Sequence, residues 1–189
     1  LEEAMKNPNY GLVNTTADAF NVKNKFNKEI IFALYYNKAN DTGHGYWYST
    51  TKPEEAQLTQ PAPVFRALYD ARDNRLPLIS EYTEDKKGTY LLNKWFDNRN
   101  DALKGNVVEN DFPHLRYADV VLMYAEALAE SGSSLGDALV WLNKTRTRAG
   151  LDALKAEDIP SKGAFIEALA DERGREFALE GHRWFDLVR

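Results

Sequence analysis

The sequence predicts a mainly α fold in which paired helices form a scaffold and a loop-rich part with a few short strands is mounted on it. Three observations predict this. Between Leu115 and Gly150 apolar residues recur at steps of three and four on either side of a Ser-Gly break. From Ser161 to Gly181 the spacing returns, with Phe165, Leu169, Arg173, Phe177 and Glu180 on one face. Upstream of Phe112 the apolar runs are short and are separated by Asn, Asp, Gly and Pro.

Leu1–Val13 opens as the end of a helix, broken at Asn7-Pro8. Asn14–Lys28 is polar and reads as irregular or as a short helix. Glu29–Tyr36, EIIFALYY, is rich in β-branched and aromatic residues and predicts a short buried strand. Lys38–Thr51 is a loop by composition. Pro53–Gln60 could hold a short helix ended by Pro61 and Pro63, and Val64–Asp70 reads as another. Leu76–Ser80 and Thr89–Phe96 read as strand pieces around the charged turn Glu84–Gly88, and Asp97–Phe112 as loop.

The scaffold is better specified. Leu115, Ala118, Leu122, Ala125 and Ala129 form one helical stripe, and Val121, Tyr124 and Leu128 a second beside it, so the helix should be covered on two sides. After Ser131–Ser134, Ser134 stands three residues before Asp137, the spacing of a capping box. The next helix turns Leu135, Ala138, Leu139 and Leu142 inward, and Gly150 is a good stop. The pair forms a helical hairpin whose inward alanines allow close packing. Asp152–Pro160 connects it to a long helix capped by Ser161, with Gly181 loosening its end.

With 189 residues the chain has room for one domain, 1–112 loop-rich and ligand-facing, 113–189 helical. A net charge of -5 argues against nucleic acid, whose phosphates want a positive face. No cysteine is present, which excludes disulfides, thiol nucleophiles and thiolate metal sites. No segment has the length of a transmembrane helix. The chain begins at Leu1 and stops at Arg189 in mid-pattern, and it reads as a fragment of something longer.

Two constellations could carry chemistry. Glu172, Glu176 and Glu180 stand at steps of four with Arg173, Arg175 and Arg183 interleaved. Such a row could supply a glycosidase acid and base, but those normally face each other across a cleft from different elements. The favoured reading is an ion-pair network to Arg146 and Arg148 that sets how the helices pack. His44, His114 and His182 are scattered, with no helical zinc spacing, and no phosphate loop, nucleophile elbow or dinucleotide turn occurs. No catalytic residue, metal or cofactor is therefore assigned.

The second constellation is the loop DTGHGYWYSTT, Asp41–Thr51. Three neighbouring rings, Tyr46, Trp47 and Tyr48, cannot all point inward from a loop. An exposed ring among polar groups such as His44 and Asp41 suits a sugar: the ring covers the C–H face and the polar groups take the hydroxyls. Core packing is the competing reading. Trp95, beside Phe96, is a second ligand candidate with the same competitor.

LRYADVVLMYAEALAE, ALVWLNKTRTRAGL and ERGREFALEGHRWFDLVR together resemble the C-terminal region of the SusD/RagB family, surface glycan-binding lipoproteins of Bacteroidetes-type outer membranes. Arg116-Tyr117-Ala118-Asp119, Asn143, Arg146, Arg148-Ala149-Gly150, Glu172-Arg173, Glu176, Glu180-Gly181, Arg183 and Asp186-Leu187 fall in the family's order. Tyr10-Gly11-Leu12, Glu29-Ile30-Ile31-Phe32, and Asp73 with Arg75 fit upstream. The resemblance implies tetratricopeptide-like helix pairs, no catalysis, and capture of oligosaccharide at the cell surface for a TonB-dependent, SusC-like transporter. It implies membrane attachment only through a lipid anchor outside this sequence. It also implies stacking rings on the loop after the Glu-Ile-Ile-Phe strand, here the loop of Tyr46, Trp47 and Tyr48. The alternative is a helical protein-interaction scaffold with no small-molecule site in this stretch.

Overall fold

The helical hairpin forms where the apolar period places it. The structure, a computed structural model, describes residues 1–37, 61–79, 81–83, 89–95 and 109–188. In chain order its helices are α1 (Glu2–Met5), α2 (Pro63–Arg66), α3 (Leu76–Ile79), α4 (Tyr117–Glu130), α5 (Leu135–Arg148), α6 (Lys162–Glu176) and α7 (Arg183–Val188), with 3-10 turns at Ala17–Phe20, Asn93–Trp95 and Ala156–Asp158. Its strands are β1 (Ile30–Leu34), β2 (Glu81–Thr83), β3 (Thr89–Leu91) and β4 (Phe112–Arg116).

Helices α4 and α5 pack against each other, and α6 lies across both. Their shared core joins Ala118, Leu122, Ala125 and Ala129 of α4 to Ala138, Leu139 and Leu142 of α5 and to Phe165 and Leu169 of α6. Fully buried alanines bring the backbones close and leave the larger residues of α6 to fill the third side. Tyr124 of the second stripe meets Trp141 edge to face, with ring centroids 4.9 Å apart. Ser134 Oγ accepts from the Asp137 N–H and donates to the Asp137 carboxylate, so Ser134 is the N-cap. The reciprocal half of a capping box is not formed: the shorter Asp takes the Ser134 hydroxyl and not its backbone N–H. Gly150 takes a φ of 80°, the left-handed position that ends α5, and the Leu151 N–H donates to the Arg146 carbonyl.

The strands form two antiparallel ribbons, β1 with β4 and β2 with β3. Ile30 pairs with Arg116 and Leu34 with Phe112, with register shifts between. The expected strand at Glu29–Tyr36 exists, but it is not buried. Phe32 and Leu34 stay exposed, because a two-stranded ribbon covers one face only.

Two further expectations are corrected. Leu76–Ser80 is not strand: Leu76–Ile79 is one helical turn, α3. Pro77 lies in its first turn, where a missing N–H costs nothing and where a strand would lose a ladder bond. Leu115 does not begin the helical stripe. It sits in β4 opposite Phe32, and α4 starts at Tyr117. Asp97–Val108 and the possible helix at Pro53–Gln60 lie outside the described residues.

Candidate functional site

Glutamates 172, 176 and 180 project from α6 and the turn after it, at the centre of a buried ionic cluster. Arg148 bonds Glu176 and Glu29, and Arg146 lies 3.8 Å from Glu172. The favoured ion-pair reading of this row is thus what the fold contains, but it named only part of the cluster. Arg75 forks onto Asp73 and reaches Glu172 at 2.7 Å and Glu176 at 3.1 Å. Arg116 forks onto Glu180 at 2.7 and 2.8 Å and also bonds Glu29 and Glu176. Lys94 donates to Glu180 and to the carbonyls of Glu176 and Ala178. Helix α6 ends on unsatisfied carbonyls, and the Lys94 ammonium and Arg116 guanidinium meet them with positive charge.

Burial alone would raise the pKa of Glu176, but Arg148, Arg116, Arg75 and Lys94 hold it well below the carboxylate range. For Glu180, Arg116 and Lys94 likewise outweigh burial and hold the pKa down. Burial pushes Lys94 down despite the partner Glu180. Glu172, Glu176 and Glu180 are each at most 4% exposed. Glu176 and Glu180 are held ionised by the cations paired with them, so neither is the raised-pKa acid that a glycosidase pair would need.

What the cluster does is mechanical. It draws residues from a pre-strand turn (Glu29), two loop turns (Asp73–Arg75 and Lys94), the end of β4 (Arg116) and the end of α5 (Arg148) onto α6. The Asp-x-Arg turn could have been found from sequence, since Asp73 accepts both the Arg75 N–H and its guanidinium. Lys94 and Glu29 carried no such local signal.

From Glu29 the chain enters β1, and at its far end stands an exposed ring pair. Phe26 and Tyr35 stack with centroids 5.8 Å apart and planes 16° from parallel. Phe26 is 83% and Tyr35 50% exposed. Lys25 Nζ lies 4.7 Å from the Tyr35 ring centre and 3.0 Å from Asp111, and Asp111 accepts the Tyr36 N–H. Asn37 donates to the Tyr35 hydroxyl at 3.0 Å. Tyr35 is thus held while both rings face water, with Tyr36 and Asn37 between it and the segment that starts at Lys38.

Of the six ligand candidates, Asp41, His44, Tyr46, Trp47 and Tyr48 lie outside the described residues. Trp95 is a correction. It is 0% exposed, edge-on to Phe20 at 4.9 Å and stacked on Phe112 at 5.4 Å, a core position and not a ligand face. The 3-10 turn carrying it points Lys94 and Trp95 inward together, so its polar neighbours in sequence were misleading. Phe26, missed from sequence, is the reverse case: a lone ring inside the polar run NVKNKFNKE. The argument for Tyr46–Tyr48, that three adjacent rings cannot all turn inward, does not reach a single ring, so the only signal for Phe26 was its wholly polar surroundings.

Comparison with known proteins places these features in a family. The model of the SusD family matches residues 72–189. SusD-like protein P2 of Formosa agariphila is 32% identical over 90 residues, 45% of this chain and 18% of that protein. SusD-like protein P38 of the same organism is 35% identical over 80 residues, 39% of this chain and 16% of that protein. Among solved structures, a SusD superfamily protein from Bacteroides fragilis superposes with a TM-score of 0.79 at 23% identity, over 100% of this chain and 46% of that one. Surface glycan-binding protein A from Bacteroides thetaiotaomicron in complex with laminarihexaose gives 0.68 at 23% identity, over 99% and 48%. The chain thus spans less than half the length of these relatives.

Proposed function

This chain belongs to the SusD family, and from that membership we propose that it is part of a surface glycan-binding protein. It captures oligosaccharide at the outer membrane and delivers it to a TonB-dependent, SusC-like transporter without breaking a bond. The observation that carries this reading is the family match over 72–189, with which the fold shared with a laminarihexaose-bound relative agrees. Tyr46, Trp47 and Tyr48 supply stacking faces and Asp41 and His44 polar contacts, while the Phe26–Tyr35 pair stands at the root of their loop. Attachment to the membrane runs through a lipid anchor outside this sequence.

Affinity electrophoresis tests the binding claim. Trp47→Ala removes retention by the oligosaccharide gel and lowers the melting temperature by no more than a few degrees, since loss of one stacked ring costs about 1–3 kcal/mol of binding. A variant that melts early while its folded fraction is retained normally would make Trp47 a core residue. Reducing-end assays on an oligosaccharide panel should show no protein-dependent release, and any release would overturn the non-catalytic reading. A second reading, a protein-interaction scaffold, draws on α7, where Trp184, Phe185, Leu187 and Val188 are all exposed. It predicts that no oligosaccharide retards the chain.

A further inference from the structure

On the side of Phe26 facing the polar turn before β1 lies a hollow of about 630 Å³. Its walls carry Asn14, Asp18, Asn21, Asn24 and Asn27, and Phe26 stands at its mouth. The floor is fixed. Asn27 is 6% exposed; its amide donates to the carbonyls of Ala19 and Asn24, and its oxygen accepts the Glu29 N–H. Glu29 is in turn held by Arg116 and Arg148. Asn21 accepts the Lys23 N–H through its side chain and the Asn24 N–H through its carbonyl, which shapes the rim. Asp18 and Thr15 bond each other reciprocally.

The rim is different from the floor. The side-chain amides of Asn14 and Asn24 are exposed and make no hydrogen bond among the described residues, and Asn21 keeps its NH₂ donors. Each amide presents a donor and an acceptor side by side. A pair of neighbouring sugar hydroxyls presents the same combination. Charge nearly cancels across the hollow, with Asp18 against Lys28 on the lining, so neither an anion nor a cation finds a dominant partner. One open ring supplies a face for C–H groups, while the remaining walls are too polar for a fully apolar ligand.

We infer that this hollow is a subsite for a neutral pyranose residue, with Phe26 beneath the sugar's C–H face and the Asn14, Asn21 and Asn24 amides on its hydroxyls. The inference rests on the glycan-binding reading and adds to it a second location and a ligand class. Because Asn27 holds the Asn24 carbonyl and the Glu29 N–H, the backbone that carries Asn24 and Phe26 is shaped before the sugar arrives, which reduces the ordering cost of binding.

Isothermal titration of the whole chain with laminarihexaose, maltohexaose, cellohexaose and an oligogalacturonate decides it. At least one neutral oligosaccharide binds, Phe26→Ala and the double variant Asn14→Ala/Asn24→Ala each weaken it roughly tenfold, as loss of a stacked ring or of its polar contacts should, and melting temperatures hold. Unchanged affinity in either variant overturns the subsite, and so does tighter binding of oligogalacturonate than of every neutral sugar. If both variants bind normally while Trp47→Ala does not, the subsite falls and glycan capture stands. If the unaltered chain binds nothing in the panel, both fall.

Discussion

Arg116 is 1% exposed, and all five of its N–H donors are engaged: one each to Glu29 and to the Glu176 side chain, one to the Glu176 carbonyl, and two to Glu180. A buried charge is tolerable only when its partners are this complete. Arg116→Met leaves three enclosed carboxylates short of a counter-charge and should cost about 3–5 kcal/mol in urea unfolding. Arg116→Lys restores the charge but offers three donors in place of five, so it should recover only part of that loss. The cluster also sets the acid response. Because Glu176 and Glu180 have depressed pKa values in the fold and ordinary ones, near 4.5, when unfolded, the unfolded chain takes up protons first as pH falls. Their stabilisation is complete above the unfolded value and is lost as pH drops through the folded ones. Urea midpoints should therefore change little between about pH 7 and pH 5 and fall toward about pH 3; an unchanged midpoint at the acid end would remove the cluster from the stability account. Sequence made the α6 glutamates and their α5 arginines legible because they lie at helical spacing. It could not show Lys94 or Glu29, whose role depends on where distant turns arrive.

Helices that keep a period over three or four turns were readable, and one-turn elements were not. In α4 and α5 the inward positions, the Ser134 cap and the Gly150 stop all agree with the spacing. Leu76–Ile79 is four residues long, too short to display any period, and its four apolar side chains imitate a strand. The informative residue was Pro77, whose place is the first turn of a helix. Strand β4 was hidden for another reason: its partner β1 comes from far earlier in the chain, so nothing local announces the pairing. The close α4–α5 approach can be tested at Ala125, which is 0% exposed in the shared core. Ala125→Leu has no room to enter and should destabilise by about 1–3 kcal/mol. Ser134→Ala, which removes only the cap, should cost about 1 kcal/mol. If thermal melts put the two in the opposite order, the hairpin is looser than its alanines imply.

At the scale of the molecule, the ionic cluster decides whether residues 1–112 and 113–189 unfold separately. Glu29, Asp73, Arg75 and Lys94 come from the first stretch, and Arg116, Arg148, Glu172, Glu176 and Glu180 from the second. Strand pairing crosses the same junction, with Ile30 opposite Arg116 and Phe32 opposite Leu115. Opening the loop-rich part alone would expose α6 carboxylates whose counter-charges had just left, so the two parts should lose structure together. We propose that they form one domain on this ground. A variant with Trp47, Trp141 and Trp184 replaced by Phe leaves Trp95 as its only tryptophan and reports on the loop-rich part, while far-ultraviolet circular dichroism reports on α4, α5 and α6. Chemical unfolding followed by both probes should give coincident transitions, as all-or-none behaviour requires. Adding Arg75→Met, which removes the bridge between Asp73, Glu172 and Glu176, should move both curves to lower denaturant by the same amount. If the Trp95 signal moves first and the helical signal keeps its midpoint, the chain holds two units, and the cluster is a local brace within one of them.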